Sequence, residues 1–222
     1  MKLTILNKGL VDYGEALELQ KELMHKRQNE EINDTLILLE HPPVITKGKR
    51  TEDHHIILSD EVLKKQGIGL YEIDRGGEAT YHGPGQLVGY LIFHLYNKQR
   101  ELKKFIANVE EIFIRLLKEE YGISSDRDLK HRGVWVGNEK ITAIGISIHK
   151  AVTMHGFAFN INTNLEHFNW IIPCGITDKG VTSIKKITGK NQDMNKIKEL
   201  TGKYLAEIFN YKDVEIINEY HD

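Results

Sequence analysis

A mixed α/β fold of the α+β kind is what this sequence predicts, and three observations carry the prediction. Helical periodicity recurs near the start, in the middle and near the end of the chain. Short apolar or alternating runs of strand type lie between, with hairpin spacing after Gly133. No regular strand–helix rhythm runs along the chain, which makes a doubly wound sheet the less expected choice. A chain of 222 residues can bury one sizeable core, and it has no Gly/Ser tract and only four prolines. A single domain over residues 1–222 is therefore expected, a mixed sheet flanked by helices with at most a small C-terminal appendage.

Each element has its own signal. Asp12 followed by Glu15 resembles a capping box, and Tyr13, Leu17, Gln20 and Met24 then recur at helical spacing. Leu36, Ile37, Leu38 and Leu39 form a short apolar run that stops at His41-Pro42-Pro43, as a buried strand would. Residues 69–74 read as another strand. Residues 87–95 read as a strong one, with Val88, Tyr90, Ile92 and His94 on one face and Leu87, Leu91, Phe93 and Leu95 on the other. Over 101–121, Leu102, Phe105, Ile106, Val109, Ile112, Phe113, Leu116 and Leu117 make an amphipathic stripe, read as core, and Gly122 is placed to end the helix. Residues 133–140 read as strand, tight turn and strand, and the second strand continues through Ile141 to His149. In the second, Ile144, Ile146 and Ile148 face one way and Ala143, Gly145 and Ser147 the other, a small-residue face that lets another group approach the backbone. Residues 154–161 form a third strand, 162–180 an ordered loop, and 194–209 a last helix on Ile197, Leu200, Leu205 and Ile208.

Composition limits the function classes. Thirty Lys and Arg against thirty-two Asp and Glu leave a net charge of −2, which argues against binding nucleic acid or an anionic membrane through bulk charge. Basic clusters at Lys47, Lys49 and Arg50, at Lys103-Lys104, at Lys130-His131-Arg132 and at Lys185-Lys186 are either solvated faces or docking points for an acidic protein. The N-terminal stretch has no secretory pattern and no apolar run has spanning length, so a cytosolic location is expected.

The densest unusual stretch is Arg75-Gly76-Gly77-Glu78-Ala79-Thr80-Tyr81-His82-Gly83-Pro84-Gly85-Gln86. Four glycines and one proline fall between two strands, with hydrogen-bonding side chains at the same place. It reads as a ligand-binding loop rather than a plain turn. It lacks the G-x-G-x-x-G pattern, and Gly175 to Gly180 has Walker spacing without the following Lys.

Cys174 is the chain's one cysteine. It can be a buried filler, an intermolecular bridge or a nucleophile. As a nucleophile it would need a partner to form thiolate near neutral pH, and His82, His155 and Lys140 are the candidates. Of the eleven histidines, His54, His55, His131, His149 and His167 sit in polar surroundings and are expected at the surface. No metal-ligand spacing stands out, and no metal is expected.

The 75–86 stretch closely resembles the signature of the lipoate-biosynthesis octanoyltransferases. The resemblance continues through Gly133-Val134-Trp135-Val136, Lys140-Ile141-Thr142-Ala143-Ile144-Gly145, His155-Gly156-Phe157-Ala158-Phe159-Asn160 and Pro173-Cys174-Gly175-Ile176, in the family's order. Phe159 and Asn164 depart from the more usual Leu and Asp. The resemblance implies the fold of the biotin and lipoate protein ligase catalytic domains. It implies transfer of octanoyl from octanoyl-acyl carrier protein to a lysine of lipoyl domains, those of 2-oxoacid dehydrogenase complexes and the glycine cleavage H protein. It also implies a Cys174/Lys140 dyad, an acyl-enzyme thioester, and no ATP, metal or other cofactor. The substrate would be bound by Arg75, Gly76, Gly77, Glu78, Ala79, Thr80, Tyr81 and His82 of the loop, and by an apolar slot at Ala143, Ile144, Gly145, Gly156, Phe157 and Ala158. The alternatives are an ATP-dependent lipoate ligase or an octanoyl amidotransferase of the same fold, and a non-enzymatic acyl-binding module.

Overall fold

The computed structural model describes residues 2–95, 100–128, 130–171 and 179–219. The chain starts with strand β1 (Lys2–Leu10), and Asp12 then caps α1 (Tyr13–Gln28) by accepting from the Gly14 and Glu15 amides. There follow β2 (Asp34–Glu40), β3 (Val44–Lys47), α2 (Asp60–Lys65), β4 (Gly69–Glu72), β5 (Thr80–His82) and β6 (Gln86–Ile92). The long helix α3 (Arg100–Tyr121) precedes β7 (Asp126–Arg127), β8 (Val134–Val136), β9 (Glu139–His149) and β10 (Val152–Asn160). The chain closes with β11 (Gly180–Val181), α4 (Ile184–Thr188), α5 (Met194–Ile208) and β12 (Asp213–Glu219).

Among the described residues the strands form two sheets. The large one has the order β12-β1-β2-β6-β10-β9-β8-β7, with β11 added alongside β9; the small one has the order β4-β3-β5. The large sheet is mixed: β12, β1 and β2 run parallel, whereas β2, β6, β10, β9 and β8 are antiparallel in turn. Its faces are covered as the alternation in β6 requires. Leu87, Leu91, Phe93 and Leu95 join the α3 stripe and α5 in one core, and Val88, Tyr90 and Ile92 join α1 in another. A third cluster, around Ile45, Leu63, Tyr81 and Phe168, sits at the small sheet. No described helix is long and apolar enough to cross a membrane.

The mixed α/β class expected from the sequence is the one observed, with differences at the ends. Residues 213–219 form no appendage; they lie parallel to β1 as the sheet's exposed edge. Their signal is weak because every residue of β12 is exposed. Pairing is reinforced by Lys2–Glu215, Lys8–Glu219 and Asn7–Asn218 rather than by a buried face. The expected loop 162–180 contains a short 3₁₀ helix, Leu165–Trp170, capped by the Asn164 side chain. Strand 69–74 ends at Glu72.

One buried polar knot fastens the large sheet. Asp34 accepts from Arg27 Nε (2.8 Å), the Tyr211 hydroxyl (2.6 Å) and the His94 amide (3.0 Å). It thereby joins α1, the segment after β6 and the segment after α5 to β2. Asp34→Ala removes the acceptor for all three, and a loss of roughly 3–5 kcal/mol is expected. Urea unfolding at neutral pH measures it, and a loss below about 1 kcal/mol would contradict this reading.

Candidate active site

A cavity of about 760 Å³ is walled by residues of both sheets. Arg75 to Thr80 and His82 form one wall; Lys140, Ala143, Ile144, Gly145, Gly156, Phe157 and Ala158, from β9 and β10, form another. Fourteen sequence positions singled out as substrate-binding or catalytic thus share one space. Tyr81 does not share it. Strand alternation sends Thr80 and His82 to the cavity and Tyr81 to the opposite side, where its ring packs on Phe168 and its hydroxyl lies 2.7 Å from His167 Nδ1. Cys174 lies outside the described residues.

Residues 74–77 are fastened from both sides. Arg75, itself buried, donates through one guanidinium nitrogen to the Thr46 carbonyl and hydroxyl of β3, both at 2.9 Å. The Lys49 and Arg50 amides donate to the Arg75 and Gly77 carbonyls. On the other side lies the small-residue face of β9. A Cβ at position 145 would stand 3.0 Å from the Gly76 carbonyl oxygen, so glycine lets the loop lie against the strand. The group admitted by that face is therefore the loop backbone.

Asp74 anchors the same segment to the β9–β10 hairpin. Its carboxylate takes a 2.9 Å bond from His155 Nε2 and a 2.6 Å contact from His149 Nε2. The His155 hydrogen bond, followed by the histidines' charge, holds the Asp74 carboxyl well below the usual carboxylate range against the opposing effect of burial. His155 adopts φ = 60° in mid-strand, a conformation that costs a non-glycine residue about 1–3 kcal/mol. The buried Gln20 side chain of α1 secures it by accepting the His155 amide at 3.0 Å.

Other lining residues come from positions that look like plain core in the sequence: Tyr13 of α1, and Val88 and Tyr90 of β6. Their neighbours fix proton positions. His41 Nδ1 lies 2.7 Å from the Val11 carbonyl and must donate to it, so Nε2 accepts from the Tyr90 hydroxyl at 2.6 Å. Gln86 donates to the Tyr81 carbonyl and to Asn160 Oδ1, so its own Oε1 accepts from His82 Nδ1 at 2.7 Å. Both imidazoles are thus neutral donors through Nδ1. Burial pushes His41 down to about 4 and His82 down to about 3. Of the histidines expected at the surface, His55 is buried, and His167 is half-buried and stacked on Trp170 at 4.0 Å.

Lys140 is buried and lines the cavity from the start of β9. Its backbone is held by β11: Val181 is its strand partner, and the Thr182 amide donates to its carbonyl at 3.0 Å. Across the turn, Gly133 has φ = 126°, and a Cβ there would stand 2.3 Å from the Thr142 carbonyl oxygen. Only glycine permits that approach of the 130–133 segment to β9. Two basic clusters that are far apart in sequence, Lys49-Arg50 and Lys130-His131-Arg132, also line the cavity. Among the described residues no group of His, Cys, Asp or Glu is arranged to hold a metal ion.

Known proteins resemble this chain along most of its length. The lipoyl protein ligase A/B catalytic domain family matches residues 12–206. An octanoyltransferase of Desulforamulus reducens is 48% identical over 219 residues, covering 99% of this chain and 96% of that protein. One from Caldicellulosiruptor bescii is 52% identical over 202 residues, covering 90% and 89%. Among solved structures, P. falciparum LipL1 in complex with lipoate superposes with a TM-score of 0.77 at 17% identity, covering 98% of this chain and 66% of that one. A putative lipoate protein ligase from T. acidophilum superposes with a TM-score of 0.72 at 14% identity, covering 100% and 90%. At such identities the structures speak for the fold, and the sequence relatives for the family. With matches near half identity over nearly its whole length, this chain belongs to the octanoyltransferases of lipoate biosynthesis, within the lipoyl protein ligase A/B catalytic-domain family.

Proposed function

We propose that this chain carries an octanoyl group from octanoyl-acyl carrier protein to the acceptor lysine of lipoyl domains, through a thioester on Cys174 and with Lys140 as acid and base. The acceptors are the lipoyl domains of 2-oxoacid dehydrogenase complexes and the glycine cleavage H protein. The observation that supports the reading most is the cavity, where Lys140 and the Arg75–Thr80 loop face one space. Its basic residues Lys49, Arg50, Lys130 and Arg132 suit an acidic carrier protein.

The chemistry balances without nucleotide or metal. The Cys174 thiolate adds to the donor carbonyl, and the carrier thiolate leaves and takes a proton from the Lys140 ammonium. Neutral Lys140 then accepts the proton lost by the acceptor amine as its nitrogen bonds to the acyl carbon and Cys174 departs as thiolate. The second step exchanges a thioester for an amide and runs downhill. In this mechanism the Lys140 ammonium also favours the thiolate form of Cys174.

Intact mass spectrometry after mixing with octanoyl-acyl carrier protein, in the absence of ATP, tests the reading. An octanoyl adduct labile to hydroxylamine is expected, and Cys174→Ser is expected to lose it. An equally labile adduct that turns over in Cys174→Ser would remove Cys174 from the mechanism. A requirement for ATP with free acid, and release of pyrophosphate, would point to ligase chemistry instead.

A further inference from the structure

We infer that Trp135 is a positioning residue for Lys140, its indole face holding the lysine ammonium at the cavity wall. The inference rests on the acid and base role proposed for Lys140.

The local fold brings the two side chains together by an irregularity. Along β8 and β9, Val134 pairs with Thr142, but Trp135 pairs with Lys140 rather than Ile141. The bulge at that step sets Trp135 and Lys140 directly across from each other. Bulges recur beside active sites because they re-aim a side chain in this way. Lys140 Nζ lies 4.8 Å from the centroid of the Trp135 ring, within the range of cation–π attraction.

The ring is itself immobilised. Trp135 is buried, and its indole N–H donates to the His131 carbonyl at 3.0 Å. That carbonyl belongs to a segment fixed by Asp128, whose Oδ1 accepts the Lys130 and His131 amides. Next to it, the Gly133 amide donates to Glu110 of α3 at 3.1 Å. A second ammonium, that of Lys179, lies 4.5 Å from the same ring centroid, and Asp128 pairs with it. The carboxylate thus offsets the like charge that would otherwise stand against Lys140 over the shared indole.

A lysine has four rotatable side-chain bonds, and freezing them costs entropy. A flat aromatic face that attracts the ammonium supplies part of that ordering before any substrate arrives. Lys140 lines the cavity and Trp135 does not, so Trp135 acts through the lysine rather than on the acyl group.

Two readouts test this. In steady-state transfer from octanoyl-acyl carrier protein to a lipoyl domain, Trp135→Leu is expected to lower kcat about tenfold while KM stays within about threefold. Trp135→Phe, which keeps a ring face, is expected to recover most of the rate. In trace labelling by acetic anhydride, read by peptide mass spectrometry, Lys140 is expected to react faster in Trp135→Leu, as is Lys179, which shares the ring, while the lysines away from Trp135 are unchanged. Trp135→Met serves the same purpose should the leucine variant not fold. Wild-type kcat without the ring, equal losses in the leucine and phenylalanine variants, a change confined to KM, or unaltered Lys140 labelling would each overturn the inference. Lys140→Met run alongside separates the two claims: full activity there refutes the acid and base reading, while the labelling still decides whether Trp135 holds the lysine.

Discussion

Lys140→Met is expected to cut octanoyl transfer by roughly two to four orders of magnitude, the usual worth of a positioned acid and base. The substitution isolates the ammonium. The backbone bonds at position 140 run through its carbonyl to the Thr182 amide and through pairing with Val181, and a methionine preserves both. Methionine also has a similar apolar reach and can pack over the Trp135 ring. Thermal unfolding should therefore change little while turnover collapses. The loss should fall on kcat, because the missing group moves protons only as the acyl group transfers. Single-turnover mass spectrometry locates the deficit further. If Lys140 protonates the carrier thiolate and later takes the amine's proton, both loading of Cys174 and discharge to the acceptor should slow. Turnover within a few fold of wild type would remove Lys140 from the mechanism.

The elements legible in the sequence are those whose pattern is local. The α3 stripe is buried against the large sheet, with Leu102 and its partners at the expected spacing, because an amphipathic helix carries its own period. The two faces of β6 separate into the two cores for the same reason. What the pattern could not supply depends on pairing between distant segments. β12 has no buried face to betray it and is identified as a strand only through β1, more than two hundred positions away. The Trp135–Lys140 pairing depends on a bulge, which has no composition of its own. Tyr81 shows the opposite limit: a motif is read as a block, whereas a strand deals its residues alternately to two sides. The cavity residues Tyr13 and Tyr90 were visible only as apolar positions of a helix and a strand. Their polar neighbours there, His41 at the Tyr90 hydroxyl and His82 stacked on the Tyr13 ring, are brought in by the fold from other segments.

Those two histidines carry the other large effect, a steep loss of stability on mild acidification. Each has an ordinary value near 6.5 in the unfolded chain, but burial lowers His41 to about 4 and His82 to about 3 in the folded one. Between the two values the unfolded chain takes up protons that the folded chain refuses, so stability falls as pH falls. Above about pH 6.5 neither state is protonated at these sites and their full contribution is present. From there down to about pH 4, each histidine removes about 1.4 kcal/mol per pH unit, close to 3 kcal/mol per unit for the pair. Ordinary domains have only about 5–15 kcal/mol in total, so unfolding near pH 4–5 is expected. His155 is lowered as well, burial outweighing its bond to Asp74, and adds in the same direction. The depressed Asp74 carboxyl loses its contribution only at lower pH, once the ordinary carboxylate range is passed. Urea unfolding between pH 7.5 and 5 measures the slope. His41→Gln keeps an amide that can serve the Val11 carbonyl or the Tyr90 hydroxyl, and it removes one proton-binding group from the unfolded chain. Its slope should therefore be shallower by about 1.4 kcal/mol per pH unit, whatever its stability at neutral pH. A wild-type stability that is flat from pH 7 to 5 would mean that these imidazoles accept protons in the folded chain, and the neutral Nδ1–H arrangement of His41 and His82 would be wrong.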